Sequence, residues 1–159
     1  LRGEEFVTRK ITSSLAKIKH GLLDVLELGN LDAKRDWGHA KDYVKGMWAI
    51  LQQPSPETFI LATGRTETVR RFLTLSAEYA GFSLEFRGQA EHETAVDTHS
   101  GKTIFRVNPQ FYRPAEVDLL IGDPTKAKTL LGWEPHISME QLAQEMMKAD
   151  LKLFQPREL

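Results

Sequence analysis

The stretch that decides the fold runs from Val25 to Leu51 and reads VLELGNLDAKRDWGHAKDYVKGMWAIL. Its first four residues form a short apolar strand pattern, which Gly29 and Asn30 end as a turn because both residue types tolerate positive φ. An amphipathic helix is predicted after Asp36, and its apolar face carries Tyr43, Val44, Met47, Trp48 and Leu51. A strand followed by a turn and a helix is the repeating unit of α/β folds.

The same alternation continues on both sides of this stretch. Four more helices are predicted from apolar residues three and four positions apart and from residues typical of helix ends. Thr68, Asp123 and Ser138 are the predicted N-caps of three of them, the second with Pro at the first helical position and the third with Gln141 as a capping box. The predicted buried faces carry Ile11, Leu15, Ile18 and Leu22, then Val69, Phe72, Leu73, Ser76 and Tyr79, and last Leu142, Met146, Ala149 and Phe154.

Strands are predicted between these helices. Apolar runs of strand length cover 58–62, 84–86 and 103–107, and the polar residues up to Lys102 are predicted to form a mobile loop without an assigned role. Strands separated by helices need crossover connections, which give an at least partly parallel sheet. The sequence therefore predicts an α/β fold.

Composition excludes several classes of protein. The 159 residues include 21 basic and 22 acidic side chains, a balance that argues against nucleic-acid binding or a polybasic membrane contact. No apolar run approaches the roughly 18 residues of a membrane span. With no cysteine there is no disulfide or thiolate metal site, and the five histidines lack metal-ligand spacing, so no metal is expected. The start at Leu1 shows no export signal, which favours a cytoplasmic protein cut from a longer chain.

Two basic segments are candidates for binding an anion. Lys34 and Arg35 are predicted to lie in a turn before a helix N-terminus, where main-chain N–H groups and a guanidinium converge on a phosphate. The alternative is that Arg35 pairs with Asp36 or Asp42. Lys10, near the start of the first helix, either faces an anion as well or is a solvated residue of a helix start.

A third candidate segment follows the strand over 103–107. Arg113 lies beside a rigid proline and can reach an anion, and Glu116 can accept hydrogen bonds from two vicinal hydroxyls, as on a ribose. A solvated surface loop is the alternative interpretation of both residues.

Four segments together resemble the GDP-mannose 4,6-dehydratase family, in the nucleotide-sugar branch of the extended short-chain dehydrogenases. They are RGEEFVTRKI at 2–11, LGNLDAKRDWGHAKDYV at 28–44, FYRPAEV at 111–117 and GDPTKA with LGW between 122 and 133. The resemblance implies that residues 1–159 are the C-terminal portion of an extended Rossmann-type fold, mostly its substrate-binding domain. It also implies that the N-terminal Rossmann domain, with the cofactor fingerprint and the catalytic Thr, Glu, Tyr and Lys, is not present in this chain.

The resemblance further implies a reaction and a set of binding residues. NADP oxidises C4 of GDP-mannose, water leaves across C5 and C6, and the hydride returns at C6 to give GDP-4-keto-6-deoxymannose. Arg2 would contact the cofactor, and the substrate-binding residues would be Lys10, Asn30, Arg35, Arg113 and Glu116. Arg35 and Arg113 would clamp the diphosphate, and Glu116 would bind a ribose. A homo-oligomer, dimer or tetramer, is expected. The alternatives are another nucleotide-sugar epimerase or reductase, or a non-catalytic nucleotide-binding module.

Overall fold

A computed structural model describes residues 3–112 and 121–156 of the chain. Five α-helices are seen among these residues: α1 (Val7–Lys19), α2 (Ala40–Leu51), α3 (Val69–Ala80), α4 (Thr125–Leu131) and α5 (Met139–Phe154). The strands are β1 (Leu26–Leu28), β2 (Lys34–Asp36), β3 (Thr66–Thr68), β4 (Leu84–Arg87), β5 (Thr94–Asp97) and β6 (Thr103–Val107). None of the described helices is long and apolar enough to cross a membrane.

The strands form a four-stranded sheet and a separate ribbon. The sheet has the order β1-β6-β5-β4, with β1 and β6 parallel and the other pairs antiparallel. The ribbon pairs β2 with β3, also antiparallel. The parallel pair and its covering helices confirm the predicted α/β class.

The core lies where α1, α3 and α5 pack against one another and against the sheet. Ile11 and Leu15 of α1, Phe72 of α3 and Met147 of α5 are fully buried, and Phe105 joins them from β6. Each such side chain contributes about 1.5–3 kcal/mol relative to an exposed one. The predicted faces of α1 and α3 are therefore confirmed, except that Leu22 and Tyr79 are exposed.

Most helix ends follow their local sequence signals. The Thr68 side chain accepts a hydrogen bond from the Arg71 N–H, and Ser138 and Gln141 form the complete capping box. Helix α4 begins one residue later than predicted, with Pro124 as its N-cap, although the Asp123 carboxylate still accepts a hydrogen bond from the Thr125 N–H.

The predicted apolar face of α2 is wrong, and that of α5 is correct only in part. On α2, Val44, Met47, Trp48 and Leu51 are exposed, and the buried positions are Asp42 and Gly46. Gly46 is buried because Leu61 and Trp133 lie so close that a Cβ would overlap them. On α5 the fully buried positions are Met139, Ala143, Met147 and Asp150. The predicted Leu142, Met146 and Phe154 are partly buried and pack against the core, whereas Ala149 is exposed.

Three segments between the helices also differ from the sequence expectations. The strand predicted over 84–86 is confirmed as β4, but the polar residues after it, predicted to be a mobile loop, contain β5, which pairs with β4 in a hairpin. Residues 58–62 form no strand with any partner among the described residues. Helix α2 begins at Ala40 with His39 as its N-cap, because residues 34–36 pair with β3 and cannot start a helix.

Candidate functional site

The carboxyl ends of the two parallel strands lie side by side. Leu28 at the end of β1 is in register with Val107 at the end of β6, and the Asn108 N–H donates to the Leu28 carbonyl at 2.9 Å. A Cβ on Gly29 would lie 2.1 Å from the Phe111 carbonyl oxygen, so only glycine allows the two following loops to approach this closely. Ligands of open α/β sheets bind outside the carboxyl ends of parallel strands. We call this place the parallel edge.

Lys10 of α1 reaches the parallel edge. Its ammonium lies 3.8 Å from the centroid of the Phe111 ring, and the residue is half-buried. Burial lowers the pKa of Lys10, an effect that the negative charge of Glu27 partly opposes. The contact with Phe111 and the burial exclude the interpretation of Lys10 as a solvated residue of a helix start.

Glu27, the carboxylate whose charge acts on Lys10, is held by other groups. Asn108 Nδ2 donates to Glu27 Oε2 at 3.0 Å, and Arg106 Nε donates to Oε1 at 2.6 Å. These hydrogen bonds, that of Asn108 first, hold the pKa of Glu27 below its ordinary value. Within the described part of the chain Lys10 forms no ion pair, so the charge of its ammonium is not cancelled at contact distance.

Asn30 lies in the turn that follows β1. Its Oδ1 accepts a hydrogen bond from the Asp32 N–H at 2.8 Å, which closes the turn. Arg70 of α3 fixes the same turn from outside, because its Nη2 donates to Asp32 Oδ1 at 2.8 Å and its main-chain N–H to the Leu31 carbonyl at 2.9 Å. The structure thus places Asn30 at the parallel edge, where Lys10 also lies.

The hairpin supports this turn. Arg70 also forms an ion pair with Glu93, which precedes β5 and is buried, and the Val107 N–H donates to the Glu93 carbonyl at 2.9 Å. The hydrogen bonds to Glu93, and then those to Asp32, raise the pKa of Arg70. Sequence reasoning missed this arrangement, since Asp32, Arg70 and Glu93 carry no local signal that would link them.

Arg35 lies elsewhere, on the β2–β3 ribbon. It is in register with Glu67 and not in a turn directly before a helix, which corrects the predicted geometry. Its Nη1 donates to the Lys34 carbonyl at 2.7 Å. The side chain lines a groove of about 400 Å³, together with Asp36, Tyr43, Ile60, Leu61, Ala62, Ile121 and Gly122.

The two carboxylates considered as partners for Arg35 have structural roles. Asp36 accepts hydrogen bonds from the N–H groups of Thr63 and Gly64, at 2.9 and 3.1 Å to Oδ2. Buried Asp42 accepts from the N–H groups of His136 and Ile137 at 2.8 and 2.9 Å. Burial by itself raises the pKa of Asp42, but these hydrogen bonds and the charge of Lys45 lower it overall. Both residues fix loops around the ribbon.

A larger cavity, of about 490 Å³, lies beside Trp37 and the loop at 133–140, and the predicted binding residues that the structure describes, Lys10, Asn30 and Arg35, do not line it. Among the described residues no cluster of side chains could hold a metal ion.

Arg2, Arg113 and Glu116 lie outside the described residues. Of the described residues on either side of 113–120, Tyr112 lies next to the parallel edge and Ile121 lines the Arg35 groove.

A family model described as GDP-mannose 4,6 dehydratase matches residues 1–146. The chain belongs to this family. A GDP-mannose 4,6-dehydratase from Yersinia enterocolitica is 50% identical over 95% of the chain, and the human enzyme of that name is 48% identical over 96%. The chain spans only 43% and 41% of the length of these two relatives.

Solved structures give the same fold. The structure of RMD from Pseudomonas aeruginosa complexed with NADPH has a TM-score of 0.75 at 18% identity, over 96% of this chain and 44% of that one. A UDP-glucose 4-epimerase from Bifidobacterium longum, in complex with NAD+ and UDP, has a TM-score of 0.62 at 20% identity, over 92% and 40%. At these identities the likeness concerns the fold, a Rossmann-like α/β architecture.

Proposed function

We propose that this chain is the nucleotide-sugar-binding part of a GDP-mannose 4,6-dehydratase, an NADP-dependent hydro-lyase that converts GDP-mannose to GDP-4-keto-6-deoxymannose. The observation that carries the proposal is the family match over residues 1–146, supported by relatives about half identical to the chain. A homo-oligomer, dimer or tetramer, in the cytoplasm is part of the same proposal. The comparisons support the family and the fold but not the expectation that this chain is the C-terminal portion of the enzyme. The proposal therefore concerns what the chain binds and not its position in the whole protein.

The parallel edge and the Arg35 groove supply groups of the kind that a nucleoside diphosphate requires. Lys10 brings a positive charge with no contacting carboxylate among the described residues, and the amide of Asn30 lies on the neighbouring turn. A guanidinium such as Arg35 can form two parallel, charge-assisted hydrogen bonds with a phosphate. We assign the diphosphate to Lys10, Arg35 and Arg113, and a ribose to Glu116.

The cofactor belongs to the proposal through the family and not through a pocket in this chain. NADP, when bound, supplies the hydride transfer, while the protein binds and orients the sugar. The chain contains no Gly-x-Gly-x-x-Gly sequence, the fingerprint that binds a dinucleotide pyrophosphate in Rossmann folds. Arg2 is proposed as a cofactor contact.

Titration calorimetry of the chain with GDP and with guanosine tests the binding proposal. We expect GDP to bind and guanosine, which lacks the phosphates, to bind far more weakly. Replacing Arg35 by alanine should cost about 1.5–3 kcal/mol, or roughly 10- to 150-fold in Kd, and lysine should recover part of it. Arg87→Ala is the matched control, because that arginine pairs with Glu85 on the exposed surface of the hairpin.

The outcomes separate the alternative functions. Equal affinity for GDP and guanosine would exclude a diphosphate site, and tighter binding of UDP than of GDP would favour a UDP-sugar epimerase. We expect no turnover of GDP-mannose with NADP by the chain alone, because we propose that the catalytic Thr, Glu, Tyr and Lys of the family lie outside it. Product formation would contradict that assignment.

A further inference from the structure

We propose that Phe111 is a positioning residue for the GDP site: its ring holds the Lys10 ammonium at the parallel edge without occupying it as a carboxylate would, so that the ammonium can face a phosphate. This inference rests on the proposed function. It concerns the contact between Lys10 Nζ and the Phe111 ring, which is 3.8 Å from nitrogen to ring centroid. A cation this close to an aromatic face is attracted by the quadrupole of the ring.

The main chain fixes the position of the ring. The Phe111 N–H donates to the Asn108 carbonyl at 2.9 Å, and the Asn108 side chain accepts from the Gln110 N–H at 2.9 Å, so residues 108–111 form a closed turn. The carbonyl of Phe111 packs on Gly29 so closely that no side chain fits there. The main chain of Phe111 is therefore tied to the ends of both parallel strands, although 46% of the residue's surface is exposed.

The other aromatic contacts of lysines in the described residues show what is particular to this one. Lys17 lies 5.0 Å from the Phe154 ring and also pairs with Glu4 at 2.9 Å. Lys126 lies 4.9 Å from the Phe59 ring and also pairs with Glu57. In these two cases a carboxylate cancels the charge. Lys19, whose ammonium lies 5.3 Å from the Phe82 ring, also forms no ion pair among the described residues, but its contact is longer than the 3.8 Å contact of Lys10.

This difference matters for binding an anion. A carboxylate partner would occupy the N–H donors of Lys10 and neutralise it, and the nearest candidate, Glu27, is engaged by Asn108 and Arg106. A ring face restrains the flexible side chain without accepting those donors. A lysine side chain loses conformational entropy when it is fixed, so restraint before binding favours the phosphate complex.

A double-mutant cycle on the full chain tests the proposal, with GDP and guanosine as ligands and calorimetry as the readout. Removing an exposed cation–π contact, worth about 0.5–1 kcal/mol, corresponds to a 2- to 5-fold change in Kd. We expect Phe111→Leu to weaken GDP binding by this factor and to leave guanosine binding unchanged. Phe111→Tyr, which keeps the ring face, should restore the affinity to within 2-fold.

The cycle is completed by Lys10→Met and by the double variant. If Phe111 acts through Lys10, Phe111→Leu has no further effect once Lys10 is replaced. Phe59→Leu is the matched control, because that ring contacts a lysine already paired with a carboxylate, and we expect it to leave GDP affinity unchanged.

Each contrary result has a separate meaning. An equal effect of Phe111→Leu with and without Lys10, or an equal effect on guanosine, would overturn the positioning role while the proposed function stands. GDP binding that does not change on Lys10→Met would also overturn it. Failure of the unaltered chain to distinguish GDP from guanosine would instead remove the proposed function itself.

Discussion

Lys10 and Arg35 are both assigned to one diphosphate, yet the parallel edge that carries Lys10 and the ribbon that carries Arg35 are held by different kinds of contact. The parallel edge is part of a four-stranded sheet covered by the helical core. The ribbon has two strands of three residues each, and carboxylates attach it and its surroundings to the neighbouring loops. An isolated two-stranded ribbon is at best marginally stable in water, so those carboxylates decide where Arg35 lies.

Because of this difference, a substitution behind the parallel edge should lower the stability of the whole chain, whereas a substitution beside the ribbon should act only on the loops near it. Helix α1, which carries Lys10, is attached to α5 through a buried polar contact within the core, so its loss should lower the stability of the whole chain. On the ribbon side, the loss of one carboxylate should loosen a loop while the core persists. The following experiments test this distinction.

The largest effect is expected for Asp150→Ala. Asp150 is 1% exposed, and its Oδ1 lies 2.7 Å from Arg9 Nη1 while its Oδ2 accepts from the Thr12 hydroxyl at 2.7 Å. Removing one partner of a buried ion pair leaves the other charge uncompensated, which costs about 3–5 kcal/mol of unfolding free energy. Urea denaturation followed by far-UV circular dichroism measures this loss.

The control for Asp150 lies on the same helix. Glu145 is exposed and pairs with Lys41 at the surface, so Glu145→Ala should cost less than about 1 kcal/mol. If both variants lose the same small free energy, α1 is not anchored by the buried pair and the contrast between the two regions disappears.

The second effect is expected for Asp42→Ala, on the ribbon side. Two main-chain N–H groups, those of His136 and Ile137, lose their acceptor, and hydrogen bonds to a charged group contribute about 1.5–3 kcal/mol each. We expect a total loss of about 2–3 kcal/mol, because water can reach the loop once the carboxylate is gone. Hydrogen exchange should show the two amides losing protection before the amides of α1 do.

A conservative variant sharpens this measurement. Asp42→Asn keeps one acceptor oxygen, so we expect its loss of unfolding free energy to be less than half of the loss in Asp42→Ala. Should α1 and the 136–137 loop lose protection together in Asp42→Ala, the ribbon side would be as closely coupled to the core as the parallel edge is.

These carboxylates also mark the limit of what the sequence could predict. Thr68, Ser138 and Gln141 were predicted correctly as capping residues because their partners lie within three positions. The partner of Asp150 lies 138 positions away in Thr12, and that of Asp42 lies 94 positions away in His136. A single sequence carries no periodicity or spacing that links such residues.

The lack of a local sequence signal also explains which features of the binding site were predicted and which were not. Lys10 and Asn30 were predicted to bind the nucleotide through the family resemblance, and the structure brings both to the parallel edge. The turn predicted for Arg35 is wrong, because β2 pairs with residues 66–68 and that pairing has no local signal. Phe111 was part of a quoted motif but was given no role, since its contact with Lys10 arises only when the two strand ends meet.

A third effect is expected for Asp36→Ala, which removes the acceptor of the Thr63 and Gly64 N–H groups. Burial, and next the charge and hydrogen bond of Asp36, raise the pKa of Tyr43 to about 12. The variant should lower that pKa toward 10 and cost about 1–2 kcal/mol of stability, since Asp36 is only half-buried. Ultraviolet titration of tyrosinate, with Tyr43→Phe to assign the signal, measures the pKa.

Asp36→Ala also separates the ribbon from the parallel edge in binding. We expect it to weaken GDP binding only when Arg35 is present, because it moves the ribbon that carries the guanidinium. If it weakens binding equally in the Arg35→Ala background, Asp36 acts on the site by another route.

The smallest effect concerns acid stability of the hairpin behind the parallel edge. Hydrogen bonds from Ser100 first, and then from the Ser83 N–H, lower the pKa of Asp97 to about 2. Because the folded-state pKa lies below the ordinary value of 3.8, the ionised carboxylate stabilises the fold fully above about pH 4. This contribution, about 1–2 kcal/mol after allowance for solvent screening, should be lost as the pH falls toward 2. The unfolding free energy of Asp97→Asn should therefore depend less on pH in this range, whereas Asp24→Asn, at an exposed position, should keep the dependence of the unaltered chain.

Since Glu93 joins this hairpin to Arg70 and the Asn30 turn, amides of the parallel edge should lose exchange protection in acid before those of the ribbon. The opposite order would show that the hairpin does not support the nucleotide edge.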